Sequence, residues 1–308
     1  MATVMSDETT TAEEEAKAPP TLRGDLATLA KLRLNTLVVV TTLFGYILAR
    51  SGQPNMDWWT MFHVVFGTSL VAFGSAAFNQ LMEIEEDARM RRTADRPLPS
   101  RRMPPLFAFA FGWAMAAFGI IHLAAKVNSD NPQAAYLAAI TLLIYVFIYT
   151  PLKRRSSTNT LVGAVPGAVP PMIGWVAGGG GYDAGAWFLF GLLFLWQLPH
   201  FVAINWLCRQ EYEDAGYVMW SNGDVSGKKT ASLASLFCVG MVLLTFVPYL
   251  AGLAGLLYLI PGLILALMML GLALRFLKAP SRESAKRLFL FTLLYLPIAM
   301  AVLVIGWK

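Results

Sequence analysis

The sequence predicts an all-α integral membrane protein of nine transmembrane helices with a cytoplasmic N-terminus. Three observations lead there. The 308 residues are 56% hydrophobic and 14% charged, with a mean hydropathy of +0.56, outside the range of a soluble globular domain. Nine apolar runs follow one another, most of them near the ~20 residues that cross a bilayer. With nine crossings and the N-terminus inside, 21 of the 24 Lys and Arg residues fall on the cytoplasmic side, a bias that a wrong helix count would erase. The net charge of +5 therefore reports topology, not a nucleic-acid surface.

The elements follow in order. Residues 1–24 read as a disordered acidic tail, rich in Thr, Ala, Glu and Pro and without the basic start of a cleaved signal peptide; residues 25–308 form the membrane domain. The first run, 34–50, is short, with Lys31 and Arg33 before it and Arg50 after it. The second, 58–82, is long and opens onto the basic stretch Arg89 to Arg102. Runs 104–125 and 133–150 come next, the latter closed by Lys153, Arg154 and Arg155. The fifth, 160–178, is rich in Gly and Pro. Such a helix is either broken beside a cavity or closely packed through its small residues, and the two readings are compatible. Run 184–206 carries a His; runs 231–253, 255–276 and 287–307 complete the set, with Arg275, Lys278, Arg282, Lys286 and Arg287 between the last two. Cys208 and Cys238 show no CxxC spacing, which argues against a structural zinc site or a disulfide framework.

Chemistry-bearing residues gather in the cytoplasmic loops after runs two, four and six. On a continuous helix, positions i, i+4 and i+8 fall at roughly 0°, 40° and 80°, so Asn79, Glu83 and Asp87 share one face, joined by Glu86. Carboxylates at the end of a membrane helix cost on the order of several kcal/mol unless a cation meets them. That cation is either a nearby Arg or a divalent metal. The following segment, Asp87-Ala-Arg-Met-Arg-Arg-Thr-Ala-Asp-Arg96-Pro-Leu-Pro, sets guanidinium groups beside the carboxylates. Oxygen ligands suit Mg2+, and Arg forks suit phosphate oxygens, so a polyanion arriving with its own metal fits the pattern. Intramolecular ion pairing with positive-inside anchoring is the competing account. Farther on, Trp196-Gln197-Leu-Pro-His200-Phe leads to Glu211 and Asp214, a second carboxylate pair or simply exposed loop acids. A His near a membrane boundary is either a hydrogen-bonded interfacial residue or a ligand.

These blocks, in this order, resemble the UbiA superfamily of membrane prenyltransferases, and more closely its haem O synthase branch. The matching stretches are Lys31-Leu-Arg33, Asn79…Glu83…Asp87-Ala-Arg-Met-x-Arg-Thr-x-x-Arg-Pro-Leu-Pro, Tyr149-Thr-x-x-Lys153-Arg154, Gly167-Ala-x-Pro-Pro-x-x-Gly-Trp175 and Trp196-Gln-x-Pro-His-Phe201. The resemblance spans about residues 25–305. The chain departs from it at Leu32, where Pro is usual, and at Glu211-Tyr212, where the family has Asp-Tyr.

The resemblance implies a UbiA-type bundle around a central cavity, capped by the motif loops. It implies Mg2+ held by Asn79, Glu83 and Asp87, with Glu211 and Asp214 opposite. Arg92, Arg96, Lys153, Arg154 and Lys228 would neutralise the diphosphate of farnesyl diphosphate, and Trp196, Gln197 and His200 would meet the acceptor, haem b. Location in the cell inner membrane, and haem A synthase or cytochrome oxidase assembly factors as partners, follow from the same likeness. A UbiA-type enzyme acting on an aromatic acid or quinone precursor is the alternative that the Trp196 block opposes. A nine-helix transporter would place charges near the bilayer centre, and the charges here cluster at helix ends.

Overall fold

The computed structural model describes residues 21–308. Most of the acidic tail, residues 1–20, lies outside them. Residues 21–24, assigned to that tail from the sequence, instead begin a helix. Thr21 Oγ1 accepts from the Gly24 amide and caps Leu22–Leu29, which lies along the motif-bearing end of the bundle.

Among the described residues, nine helices are long and apolar enough to cross a membrane: α1 Leu32–Ala49, α2 Trp58–Met82, α3 Pro105–Lys126, α4 Gln133–Leu152, α5 Asn159–Ala177, α6 Ala184–Leu207, α7 Lys228–Leu250, α8 Leu256–Lys278 and α9 Arg282–Gly306. The bounds follow the apolar runs to within a few residues. Their starts are built from local chemistry: Asp57 caps α2 by accepting from Trp59 and Thr60, Asp183 caps α6, and Ser281 forms a reciprocal capping box with Ser284 on α9.

Consecutive helices are neighbours, α5 joins the first half of the bundle to the second, and α6 closes on α9. The Gly/Pro-rich α5 is the most enclosed of the nine. Its hydrogen bonding is interrupted at Val169-Pro170, between Asn159–Ala168 and Pro170–Ala177, while Val169 keeps helical dihedrals (φ −77°, ψ −32°). Its second half packs backbone to backbone on α1. A Cβ added at Gly174 would sit 1.8 Å from the Thr42 carbonyl oxygen, and one at Gly45 1.9 Å from that of Pro171. Its first half faces a cavity through Gly163, Pro166 and Gly167. Both sequence readings of this helix therefore hold, one for each half. Small residues also let α2 meet α3, through Gly67 on Gly119 and Gly74 on Gly112 and Ala116.

Two irregularities position the site. Within α4, Ile144–Tyr149 forms a π-helical turn. Lys31, between Leu22–Leu29 and α1, has φ 46°, the left-handed region that costs a non-glycine residue on the order of 1 kcal/mol.

Candidate active site

One cavity of about 400 Å3 enters the bundle at the motif-bearing end. It is bounded by α1, α2, α4, α5, α6 and the loops after α2 and α6. The lining residues become less polar with depth, and the deep threonines, Thr41 on α1 and Thr141 on α4, bond their hydroxyls to carbonyls of their own helices. On α1 they run from Lys31 to Thr41, on α2 from Asn79 back to Ala72, on α5 from Asn159 to Pro170, and on α6 from Asn205 back to Leu193. Ten residues of helix span about 15 Å, so the cavity has a charged mouth and a deep, largely apolar end.

At the mouth, α2 stops at Met82, and Glu83 (φ −113°, ψ 20°) hands the chain to a short helix, Ile84–Arg89. The acidic stripe is therefore carried by two helical segments and not by one continuous helix. The bend divides its members. Asn79, Glu83 and Asp87 still line the cavity and are at most 3% exposed, whereas Glu86 turns outward and is gripped by Arg154, Nε to Oε1 at 2.6 Å and Nη2 to Oε2 at 2.8 Å.

Each inward acid has its own cation. Lys153 donates to Glu83 Oε1 at 2.7 Å, and Arg96 Nη1 to Asp87 Oδ2 at 2.6 Å. The Lys153 ammonium also lies over the Tyr149 ring, 4.7 Å from its centroid, and 5.7 Å from that of Tyr217. Asn79 donates through Nδ2 to Thr150 Oγ1 at 3.2 Å, which turns Oδ1 toward the Lys31 ammonium. Burial alone would raise the Glu83 carboxyl; Lys153 and Lys31 hold it below the usual carboxylate range. Burial opposes the Lys153 charge too, but Glu83 and the Tyr rings hold that ammonium well above its ordinary value. Lys31 goes the other way: burial lowers it to about 7, Glu83 and Asp87 opposing the shift and Arg96 and Lys153 adding to it.

Three oxygen-bearing side chains on one wall, two of them carboxylates, form a hard-donor set of the kind Mg2+ takes, so this wall fits that metal. The opposite wall does not complete it. Among the described residues no cluster of three His, Cys, Asp or Glu side chains is gathered as for a metal ion. Glu211 lies outside the cavity lining, its Oε2 buried without a hydrogen bond and 3.8 Å from Arg92 Nε. Asp214 is exposed and accepts from Gln210 Nε2 at 2.9 Å. Both sit on the short helix Arg209–Asp214, whose inward residue is Tyr212. Arg92 stacks over that ring at 4.8 Å.

Of the other residues singled out from sequence, Arg92, Arg96, Lys153, Trp196, Gln197 and His200 all line the cavity. Arg154, tied to Glu86, and Lys228, exposed at the start of α7, do not. The Trp196 block is fixed by outward bonds: Trp196 Nε1 donates to the Thr292 carbonyl at 2.7 Å and Gln197 Nε2 to that of Ala164 at 2.8 Å. His200 Nδ1 lies 2.8 Å from Thr292 Oγ1, which itself donates to the Phe289 carbonyl. Thr292 therefore accepts from His200 Nδ1–H, leaving Nε2 as the acceptor of the ring. Sequence reasoning missed Lys31, Tyr145, Tyr217 and Asn205 as cavity residues. Lys31 stood within a matching motif but was used only for topology.

Comparison with known proteins agrees with this architecture. Residues 38–295 match the UbiA prenyltransferase family. The chain is 40% identical over 291 residues to a protoheme IX farnesyltransferase of Anaeromyxobacter dehalogenans, covering 94% of this chain and 95% of that one. It is 37% identical over 291 residues to the protein of the same name from Solibacter usitatus, covering 91% and 98%. Among solved structures, digeranylgeranylglyceryl phosphate synthase superposes with a TM-score of 0.77 at 19% identity, covering 92% of this chain and 97% of that one. A UbiA homolog from Archaeoglobus fulgidus bound to GPP and Mg2+ superposes with a TM-score of 0.60 at 13% identity, covering 90% and 99%.

Proposed function

The chain belongs to the UbiA prenyltransferase family, and on that premise we propose that it transfers the farnesyl group of farnesyl diphosphate to the 2-vinyl group of haem b, giving haem O. It is a multi-pass membrane prenyltransferase. The observation that supports the finer reading is a cavity with a mouth of paired acids and cations and a largely apolar interior reaching Trp196 and His200. The relatives named above bring the haem acceptor to this chain.

Asn79, Glu83 and Asp87 would hold Mg2+, which supplies Lewis-acid stabilisation to the departing diphosphate. Arg92, Arg96 and Lys153 neutralise the remaining phosphate charge. The deep walls would exclude water from the isoprenoid, and the Tyr145 ring, which lines the cavity, would stabilise positive charge on the allylic carbon. The vinyl π pair forms the new bond to C1 of the farnesyl chain as the C1–O bond breaks, and diphosphate leaves with that electron pair. Water oxygen then adds to the inner vinyl carbon and releases one proton. Trp196 and His200 orient the porphyrin. The motif loops face the cytoplasm, from the charge bias, so diphosphate is drawn from and returned to that side.

The test is to incubate purified protein with haem b, farnesyl diphosphate and Mg2+ and to follow products by mass-resolved chromatography. Haem O is the expected product. Prenylation of an aromatic acid or quinone precursor, with haem b unchanged, would overturn the proposal.

A further inference from the structure

We propose that Asn205 anchors a carboxylate of the acceptor, a propionate of haem b, on the wall of the cavity across from Asn79, Glu83 and Asp87. The inference rests on the farnesyl-transfer reading given above and names the part of the acceptor that α6 holds.

One amide of the cavity is left free. Among the described residues, five amide side chains line it: Asn35, Asn79, Asn159, Gln197 and Asn205. Four of them donate to protein oxygens. Asn35 reaches the Ala30 carbonyl at 2.7 Å, Asn79 the Thr150 hydroxyl at 3.2 Å, Asn159 the Val218 carbonyl at 2.6 Å and Gln197 the Ala164 carbonyl at 2.8 Å. Asn205 differs. Ser221 Oγ donates to its backbone carbonyl at 3.0 Å, but its side chain has no hydrogen-bond partner among the described residues. The residue is only 6% exposed and lines the cavity. A nearly buried amide without a protein partner forfeits the bonds it had in water unless water or a substrate meets it.

The place of this amide suits the acceptor. Asn79 lies three residues before the end of α2 at Met82, and Asn205 two before the end of α6 at Leu207, so they stand at similar depth. α2 packs on α3, α6 packs on α7 and α9, and the two helices meet across the bore. In haem b the vinyl and propionate groups occupy opposite halves of the macrocycle. A porphyrin laid across the bore with its propionate half at α6 brings its vinyl half to the α2 wall, where the C1–O bond of the isoprenoid breaks. His200 is five residues deeper than Asn205 on the same wall, about 7 Å along the axis and within the breadth of one macrocycle.

Charge favours the same orientation. A propionate at the α2 wall would meet Glu83 and Asp87 and would compete with diphosphate for Lys153 and Arg96. Farther down, the walls are largely apolar, and burying a carboxylate there is costly. The α6 side of the mouth presents a neutral donor instead. Asn205 Nδ2–H can bond a carboxylate, whereas an ammonium or guanidinium at this position would offer the diphosphate a second seat.

The test measures steady-state kinetics of full-length protein in nanodiscs with Mg2+, farnesyl diphosphate and either haem b or its propionate dimethyl ester. Asn205→Leu should raise the KM of haem b about 10- to 100-fold, the range of one hydrogen bond to a charged group, and leave the KM of farnesyl diphosphate unmoved. On the ester, whose carboxylates are masked, wild type and Asn205→Leu should have nearly the same KM. Asn205→Asp sets carboxylate against carboxylate and should prefer the ester to the acid. Neither variant breaks a hydrogen bond of the described residues, because the side chain makes none with them. An unchanged KM for haem b in Asn205→Leu would overturn the anchor and leave the transferase reading intact. Equal losses on acid and ester would also overturn it, by making Asn205 a packing residue of the wall. Wild-type protein that farnesylates neither porphyrin would overturn the transferase reading and this inference together.

Discussion

Lys153 and Glu83, 70 residues apart in the chain, meet at 2.7 Å and pin the end of α4 to the end of α2. Both side chains are nearly enclosed, 13% and 5% exposed, so the pair is a structural clamp as well as part of the charged mouth. Replacing one partner leaves the other charge buried alone, an effect on the order of 3–5 kcal/mol where burial is complete. We expect Lys153→Met and Glu83→Gln each to lower the unfolding midpoint, and the double variant to recover a large share of the loss. A double-mutant cycle in chemical denaturant measures it; simple additivity would show that the clamp contributes nothing.

Asp87 reaches the cavity with its carboxylate held by Arg96 at 2.6 Å. Asp87→Asn keeps the shape and removes the charge, so prenyl transfer should fall at least about 100-fold while membrane insertion persists. Chelation of divalent metal should abolish activity in the wild type, and Mg2+ should restore it. Retained activity under either treatment would remove the metal wall from the mechanism.

Gly45 and Gly174 let α1 and α5 touch through their backbones, and neither has room for a methyl group. Alanine at either position should separate the helices and cost about 3 kcal/mol or more, beyond the usual range of overpacking. Gly271, on α8, has nothing within 4 Å of an added Cβ, so Gly271→Ala should be neutral or stabilising by up to about 1 kcal/mol. Thermal unfolding in detergent distinguishes the three; equal midpoints would refute the close approach.

Asp224 substitutes for a missing cap. Gly227 precedes α7 without a side chain, and Asp224 Oδ2 accepts from the Thr230 amide at 2.8 Å. Burial opposes ionisation, but the Thr230 and Ser226 donors hold the carboxyl below its ordinary value. A depressed carboxyl stabilises the fold fully above its unfolded pKa of about 3.9 and loses that contribution as pH falls through the folded value. Asp224→Ala should therefore cost about 1 kcal/mol at neutral pH. The gap between variant and wild type should narrow below about pH 4, as read from unfolding midpoints across pH.

Thr292 fixes the His200 tautomer. Thr292→Val removes the partner of Nδ1–H on a half-buried ring, at a cost of about 1 kcal/mol. If His200 meets the porphyrin, the variant should also bind haem b more weakly and shift its Soret band. An unchanged spectrum and affinity would leave Thr292 a purely structural role.

The spans were legible because bilayer thickness sets helix length, and Leu32–Ala49 or Asn159–Ala177 can be found from apolar runs alone. The first acidic wall was legible for its residues but not its geometry: the break at Glu83 sends Glu86 to Arg154, and nothing in the local sequence marks it. Glu211 and Asp214 stand opposite the first wall only by the family likeness, because the spacing itself, in a loop, carries no direction. On Arg209–Asp214, the ring of Tyr212 takes the inward position instead. Lys31 carried a signal in the Lys31-Leu-Arg33 stretch, but only tertiary folding brings it to its partner Asn79, 48 positions on.

The π turn at Ile144–Tyr149 has a consequence for angular phase. A π turn accommodates a surplus residue relative to α geometry. Removing one residue there and letting the segment relax to an α-helix would rotate all that follows by about 100°. Tyr149 and Lys153 would then point away from the bore, and the clamp on Glu83 would open without any charged residue having been altered. The chain thus aims this wall of the cavity by residue count as much as by residue identity, and a one-residue deletion in an apolar stretch is the quietest way to turn it aside.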